Sequence, residues 1–397
     1  MTRKTIFIST GEVSGDLQGA LLIEALKKSA NSQGLELEIV ALGGNRMQEA
    51  GAKLLSNTTG IGSVGLLESL PFVIPTLQIQ GRAKKYLREN PPDLVVLIDY
   101  MGPNLSIGTS IRRHLPEVPI VFYIAPQEWV WSAGPMVPRK TAQTIVEMTD
   151  QLLAIFPEEA RYFEKKGASV TWVGHPLVDR MQSCPSREEA RQTLGIAPQQ
   201  MAIALVPASR RQELKYMMPI VFEAAKQIQS KLAASQENPT PLFWIPLSLE
   251  AYRPAIEAAL KEYGLNATIV AGKTNEVLAA ADLAIAKSGT VNLELALLNV
   301  PQVVLYKVSA VTYGIARLLK FSIPFMSPPN LVVMREIIPE LLQEKATSEN
   351  IVKEALELLL NVDRRQQTLE DYQEMRQLLG EVGVCERAAN EILQLLK

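Results

Sequence analysis

The sequence predicts an α/β protein built of two doubly wound domains, and three observations predict it. Short apolar runs alternate with helix-length amphipathic segments, the pattern of a parallel sheet covered by helices on both faces. The alternation lapses near Asp179 and starts again near Ala202. The chain has 397 residues, beyond the roughly 250 to 300 at which a single hydrophobic core stops growing.

In order, a strand at 5–9 leads into the loop 11–15 and then a helix with Leu17, Leu21, Leu22, Ala25 and Leu26 on one face. Further strands are expected at 38–42, 94–98, 118–124, 151–155 and 170–173. The stretch 179–195, with Pro185 and a charged helix-like piece from Arg187, reads as a linker. Strands at 202–206, 242–246, 267–270, 283–285 and 303–306 then form a second sheet, with a helix at 215–234. The expected divisions are 1–178, the linker 179–195, 196–363, and a helical segment 364–397 free to pack back on the first domain.

The composition bounds the function. With 47% hydrophobic and 21% charged residues, and 25 prolines and 23 glycines spread along the chain, real cores can form and global disorder is excluded. A net charge of -2 offers no basic field for nucleic acid. Two cysteines and two histidines, widely separated, suit neither a disulfide framework nor a zinc site, so no metal or cofactor is expected. The apolar run at the start is shorter than a signal core, and no run approaches a membrane span. The expectation is a soluble, cytoplasmic protein.

Ligands of open α/β sheets sit beyond the carboxyl ends of the strands, so the loops there carry the search. Gly11-Glu12-Val13-Ser14-Gly15-Asp16 follows the first strand. It lacks dinucleotide spacing and sets two carboxylates where a pyrophosphate would lie, which disfavours an NAD site. Asp16 as a helix cap with Glu12 solvated, or both as cleft carboxylates, are readings of equal weight. Asp99, after a continuous apolar strand, either faces the cleft or caps a turn. In the second half, the loop with Ser209 and Arg210 and the loop Lys287-Ser288-Gly289-Thr290 offer cations and hydroxyls to a diphosphate. Glu294, one turn beyond Thr290, is placed to accept from ribose hydroxyls. The chain contains no D-x-D, so a metal-independent scheme is favoured.

These residues resemble the lipid-A-disaccharide synthase family. The resemblance rests on short words kept in order over more than 300 residues: Gly11-Glu12-Val13-Ser14-Gly15-Asp16, Gly43-Gly44-Asn45-Arg46-Met47, Val64-Gly65-Leu66-Leu67-Glu68, Pro126-Gln127-Glu128-Trp129-Val130-Trp131 and Val173-Gly174-His175-Pro176-Leu177. Ser288-Gly289-Thr290 with Glu294, Tyr306-Lys307, Pro329-Asn330-Leu331 and Pro339-Glu340-Leu341-Leu342-Gln343 complete the series.

The resemblance implies a GT-B fold, two Rossmann-like domains facing a central cleft. It also implies an inverting transfer of 2,3-diacylglucosamine from UDP-2,3-diacylglucosamine to 2,3-diacylglucosamine 1-phosphate. Asp99, Glu12 and Asp16 are the catalytic candidates. Ser14, Asn104, Gln127, Trp129, Arg210, Lys287, Ser288, Gly289, Thr290, Glu294, Asn330, Glu340 and Gln343 are the binding candidates. Two positions depart from the family pattern: Gly102 stands where a second Asp is usual, and Ala208 replaces a glycine. The acylated substrates imply a peripheral site on the inner face of the inner membrane, with the apolar stretches 62–78 and 308–333 as contact segments or, equally, as buried helices. A homodimer stays open. So do another UDP-N-acetylglucosamine-type GT-B enzyme and a UDP-sugar-binding protein without catalysis. Trp129 and Trp131 read as packing or pocket residues, His175 as a hinge or cleft residue, and Cys184 and Cys385 as reduced thiols.

Overall fold

The structure is a computed structural model that describes residues 2–59, 66–126, 129–130, 141–208, 211–234, 240–319 and 322–396. Within these ranges, the side chains at 2, 12, 66–71, 211, 212 and 311 fall outside the description. Gln127, Trp131 and Arg210, and the Glu12 side chain, therefore lie outside the described residues.

The first sheet comprises β1 (Thr2–Ser9), β2 (Leu35–Gly43), β3 (Lys53–Asn57), β4 (Leu94–Ile98), β5 (Ile120–Tyr123), β6 (Gln151–Ala154) and β7 (Val170–Trp172). Its strands alternate with α1 (Glu12–Ser32), α2 (Asn45–Glu49), α3 (Leu66–Glu89), α4 (Met101–His114), α5 (Thr141–Met148) and α6 (Pro157–Glu164). Every pairing is parallel and the order is β3-β2-β1-β4-β5-β6-β7. Ile6, Phe7, Ile8, Val95, Val96, Leu97 and Phe122 are all fully buried. The strands read as continuous apolar runs because helices cover both faces, and each such side chain contributes about 1.5–3 kcal/mol through burial.

After α7 (Leu177–Met181) and α8 (Arg187–Leu194) comes the second sheet, with β8 (Ala202–Val206), β9 (Leu242–Leu247), β10 (Ala267–Ala271), β11 (Leu283–Lys287), β12 (Gln302–Tyr306) and β13 (Glu340–Leu342). It is parallel, in the order β10-β9-β8-β11-β12-β13. Its helices are α9 (Arg211–Ala233), α10 (Arg253–Tyr263), α11 (Thr274–Ala280), α12 (Val291–Leu297), α13 (Ala310–Leu318), α14 (Pro328–Val333), α15 (Ser348–Leu360) and α16 (Val362–Leu379), and α17 (Val384–Gln394) follows. Ile203, Leu205, Phe222, Phe243 and Ile285 anchor this core. The observed strands begin and end within three residues of the expected bounds, β5, β6 and β7 being shorter than expected, while β3 and β13 were not expected.

The chain divides into two compact units: Met1–Asp179 with Ile315–Ser322 and Leu379–Lys397, and Arg180–Gly314 with Ile323–Leu378. The last helix belongs to the first unit for a definable reason. Asp179 accepts from the backbone N–H groups of Gly383 (2.6 Å), Val384 (3.2 Å) and Cys385 (2.7 Å), capping α17 with a carboxylate where the helix dipole favours one. Arg387 of α17 donates to the Val173 carbonyl, and α17 lies along α1. Helix α8, in the stretch read as a linker, opens on a Ser186/Glu189 capping box. Its Arg187 and Arg191 reach Asp282 and the carbonyls of Ala280 and Ala281, which ties it to the second unit. No helix among the described residues is long and apolar enough to cross a membrane.

Candidate active site

In each sheet the strand order reverses at one place, between β1 and β4 in the first unit and between β8 and β11 in the second. That reversal opens a crevice beyond the strand ends. Most of the residues singled out in the sequence follow these four strands, while Trp129 follows β5, Asn330 lies in α14, Glu340 opens β13 and Gln343 follows it.

In the first unit, Asp99 and Tyr100 leave β4 in the left-handed region, at φ 45° and 49°, before α4 begins. Few L-residues adopt this conformation, at a cost of roughly 1–2 kcal/mol each. Asn104 holds it in place. This fully buried amide donates to the carbonyls of Ile98 (3.0 Å), Asp99 (2.7 Å) and Ser9 (3.3 Å), and accepts from Ser9 Oγ (2.7 Å). Asn104 therefore joins the end of β1 to the turn after β4, and Asp99 itself is exposed at the strand end. The Tyr100 ring lies against Gly11, where a Cβ would come within 2.5 Å of it, so the glycine there is required by close approach.

Asp16 is buried and spends its carboxylate on backbone. It accepts from Gly44 (2.8 Å), Arg46 (3.2 Å) and Met47 (3.1 Å), the start of α2. It is a cap, as one reading of the sequence had it, but of the neighbouring helix; Asp16 itself lies inside α1. Ser14 is exposed in the first turn of α1. Trp129 packs against the first core and stacks at a tilt on Phe156 (centroids 5.9 Å), and its indole N–H has no partner among the described residues. Phe156 in turn lies 5.3 Å from His175, a buried ring whose pKa burial pushes down to about 3. His175 is therefore neutral, accepting from the Leu177 N–H through Nδ1.

No pattern in the sequence pointed to Glu159. It is 1% exposed, yet its carboxylate accepts from Ala125 (2.8 Å), Ile155 (2.9 Å) and Phe156 (3.3 Å) N–H groups. Burial raises its pKa to about 7; the three N–H donors pull it down and the Asp99 charge pushes it up. Ile124, between these groups, has φ 61°.

In the second unit, Lys287 ends β11, and its ammonium lies 3.6 Å from Glu213 of α9, another residue the sequence did not single out. A Cβ at Gly289 would meet that ammonium at 2.7 Å, so the bare glycine leaves room for the Lys287 side chain to fold over the loop. Asn292 pins the loop from below, accepting from Gly289 N–H (2.7 Å) and donating to the Lys287 carbonyl and Gln302. Ser288 Oγ donates to the Met326 carbonyl (2.7 Å), and Thr290 stands at the N-cap of α12. Glu294, 8% exposed, pairs with Arg180, the first residue of the second unit.

Asn330 and Glu340 form a second buttress. Glu340 accepts from the Met326 N–H (2.9 Å), the Ser327 N–H (2.8 Å) and Asn330 Nδ2 (2.8 Å), while Asn330 Oδ1 accepts from Ile337 and Ile338. They shape the 326–330 loop under Ser288. Gln343, directly after β13, has φ 49°. No group of three or more His, Cys, Asp or Glu residues among the described residues is placed to hold a metal ion.

Chains of known structure share this fold. S. aureus MnaA in its UDP co-structure aligns at TM-score 0.63 with 15% identity, covering 99% of this chain and 97% of that one. The UDP-GlcNAc 2-epimerase from Neisseria meningitidis bound to UDP-GlcNAc aligns at 0.59 with 13% identity, covering 98% and 99%. At such identities the likeness is one of fold, here the GT-B type. Sequence relatives go further. The lipid-A-disaccharide synthases of Gloeothece citriformis and Synechocystis sp. are 63% and 58% identical, over 98% of this chain and 99% and 97% of theirs. That of Geobacter sulfurreducens is 33% identical over 100% of this chain and 98% of its own. The model of the lipid-A-disaccharide synthetase family matches residues 6–394, and the chain belongs to that family.

Proposed function

We propose that the chain transfers 2,3-diacylglucosamine from UDP-2,3-diacylglucosamine to 2,3-diacylglucosamine 1-phosphate, releasing UDP and a β-1,6-linked disaccharide 1-phosphate. Family membership supports the reaction. The observation that carries the assignment of roles is the pair of sheet reversals, one furnishing an exposed carboxylate at Asp99 and the other a cation and carboxylates at Lys287, Glu213 and Glu294.

The acceptor's 6-hydroxyl oxygen attacks the anomeric carbon of the donor as the bond from that carbon to the diphosphate breaks. Asp99 takes the hydroxyl proton, and UDP departs with the electron pair. Lys287 and Thr290, with Arg210 in the role that the family resemblance gives it, offset the charge of the departing diphosphate, while Glu294 accepts from the ribose. Asp16 and Asn104 build the acceptor side without touching it. Incubating the protein with both substrates and seeking the disaccharide and UDP by mass spectrometry tests the reading. UDP binding without product sinks it.

Gly102, where the family usually has Asp, lies in the first turn of α4, and a Cβ there would meet nothing within 4 Å. Gly102→Asp is therefore accommodated. It should raise stability by about 1 kcal/mol through reduced backbone freedom and the helix dipole, seen as a higher Tm, with turnover within about twofold of the parent. A gain of tenfold or more would identify position 102 as the place of the base and remove Asp99 from that role.

Acylated substrates support a working position at the inner face of the inner membrane. Val73, Ile74 and Leu77 are 46%, 68% and 61% exposed on α3, and Lys85 follows on the same face as Ile74, three turns along. This arrangement suits a helix resting on an anionic leaflet. Ile74→Glu with Leu77→Glu should abolish co-sedimentation with anionic vesicles and leave UDP binding intact; unchanged sedimentation would exclude this face.

A further inference from the structure

Glu159 has no part in the transfer as described above, yet its surroundings exceed what a helix cap needs. It is the third residue of α6, and its bonds from Ile155 and Phe156 N–H are those of a carboxylate reaching back over a helix start. The bond from Ala125 is different, because it crosses from α6 to the end of β5. The amide that supplies it is the peptide joining Ile124 to Ala125, and the other end of that amide, the Ile124 carbonyl, accepts from the Asp99 N–H at 3.0 Å. A planar, rigid group thus carries the Glu159 carboxylate on one side and the Asp99 backbone on the other.

Ile124 holds this peptide at φ 61°, a conformation that a β-branched residue adopts only when its surroundings impose it. Asp99 and Tyr100 stand in the same region of backbone space on the adjacent strand. Three neighbouring strained residues need restraint from more than one direction. Asn104 supplies it from α4. Glu159 supplies it from α6.

We propose that Glu159 is a positioning residue for the transfer: through the Ile124–Ala125 peptide it fixes the left-handed turn that aims the Asp99 carboxylate. The inference rests on Asp99 being the base. Its electrostatic signature agrees, since Asp99 is close enough for its charge to act on Glu159.

The test is steady-state kinetics on the full chain, with rates normalised to UDP-binding sites counted by calorimetry. Glu159→Gln keeps the size of the side chain but turns an acceptor into an NH2 group facing a backbone N–H. It should lower kcat about 10- to 100-fold, as a misaimed catalytic group does, with the donor KM and the UDP Kd within twofold. In an Asp99→Asn background the same change should add no further loss, because nothing is left to aim. A lower Tm with unchanged kcat overturns the inference, since capping alone accounts for that. So does a full additional loss in the Asp99→Asn background. Should Glu159→Gln not fold, Glu159→Asp serves with the same readouts: it keeps the charge but is a methylene too short to span the Ala125 and Phe156 donors together. A full-rate Asp99→Asn removes the base reading and this inference together. A slow Asp99→Asn beside a full-rate Glu159→Gln overturns the inference alone.

Discussion

Asp99→Asn lowers kcat by roughly 10²- to 10⁴-fold, the range in which a positioned general base contributes, while UDP affinity and Tm stay close to those of the parent. The substitution is well suited to isolate basicity. Asp99 sits at φ 45°, and asparagine tolerates the left-handed region as well as aspartate does, so the turn survives the change. The backbone bonds to Ile124 and Asn104 involve the Asp99 main chain and also survive. What is lost is an oxygen able to accept a proton. Single-turnover measurements at saturating donor check the expectation, and a variant that turns over at the parent rate would move the base elsewhere on the first unit.

Glu294→Gln weakens UDP and donor binding by about 10- to 150-fold, the equivalent of the 1.5–3 kcal/mol of a hydrogen bond to a charged group. Two effects combine in it. The ribose loses an anionic acceptor, and Arg180, with its side chain three-quarters buried, loses the carboxylate that neutralises it. The loss should appear in the donor KM and the calorimetric UDP Kd rather than in kcat, because the group lies on the nucleotide and away from the reacting bond. Unchanged UDP affinity would show that Glu294 serves Arg180 alone.

Strands buried on both faces were the most plainly legible in the sequence, although the edge strands Val170–Trp172 and Ala267–Ala271, of mixed burial, were read as well. Leu94–Ile98 and Ala202–Val206 read as unbroken apolar runs because no face of them meets water. Lys53–Asn57 lies at the edge of its sheet with mixed burial, and Glu340–Leu342 is three residues long and begins on a charge, so neither carries a periodic signal.

The site divides in the same way. Asp99, Lys287 and Glu294 follow strands and could be found by position alone. Glu159 could not: Pro157-Glu158-Glu159 reads as the solvated first turn of a helix, and only the fold turns one of its carboxylates inward onto the end of β5. Arg180 lay hidden in a stretch read as linker, and Asn104, read as a ligand contact, is a fully buried amide bonded to the backbone at the ends of β1 and β4. Side chains that bind ligand announce themselves by type and place, whereas those that hold other side chains are defined by partners distant in sequence.

The cap that Asp179 provides to α17 bears on how the protein is made. Residues Leu379–Lys397 complete the first unit, with α17 lying along α1, yet the whole second unit is translated between them and Asp179. At about 5–20 residues per second, the first unit waits on the order of 10–40 s on the ribosome for the helix that packs on α1. During that interval the apolar flank of α1 has no cover from its own chain. The unit encoded first is the unit finished last.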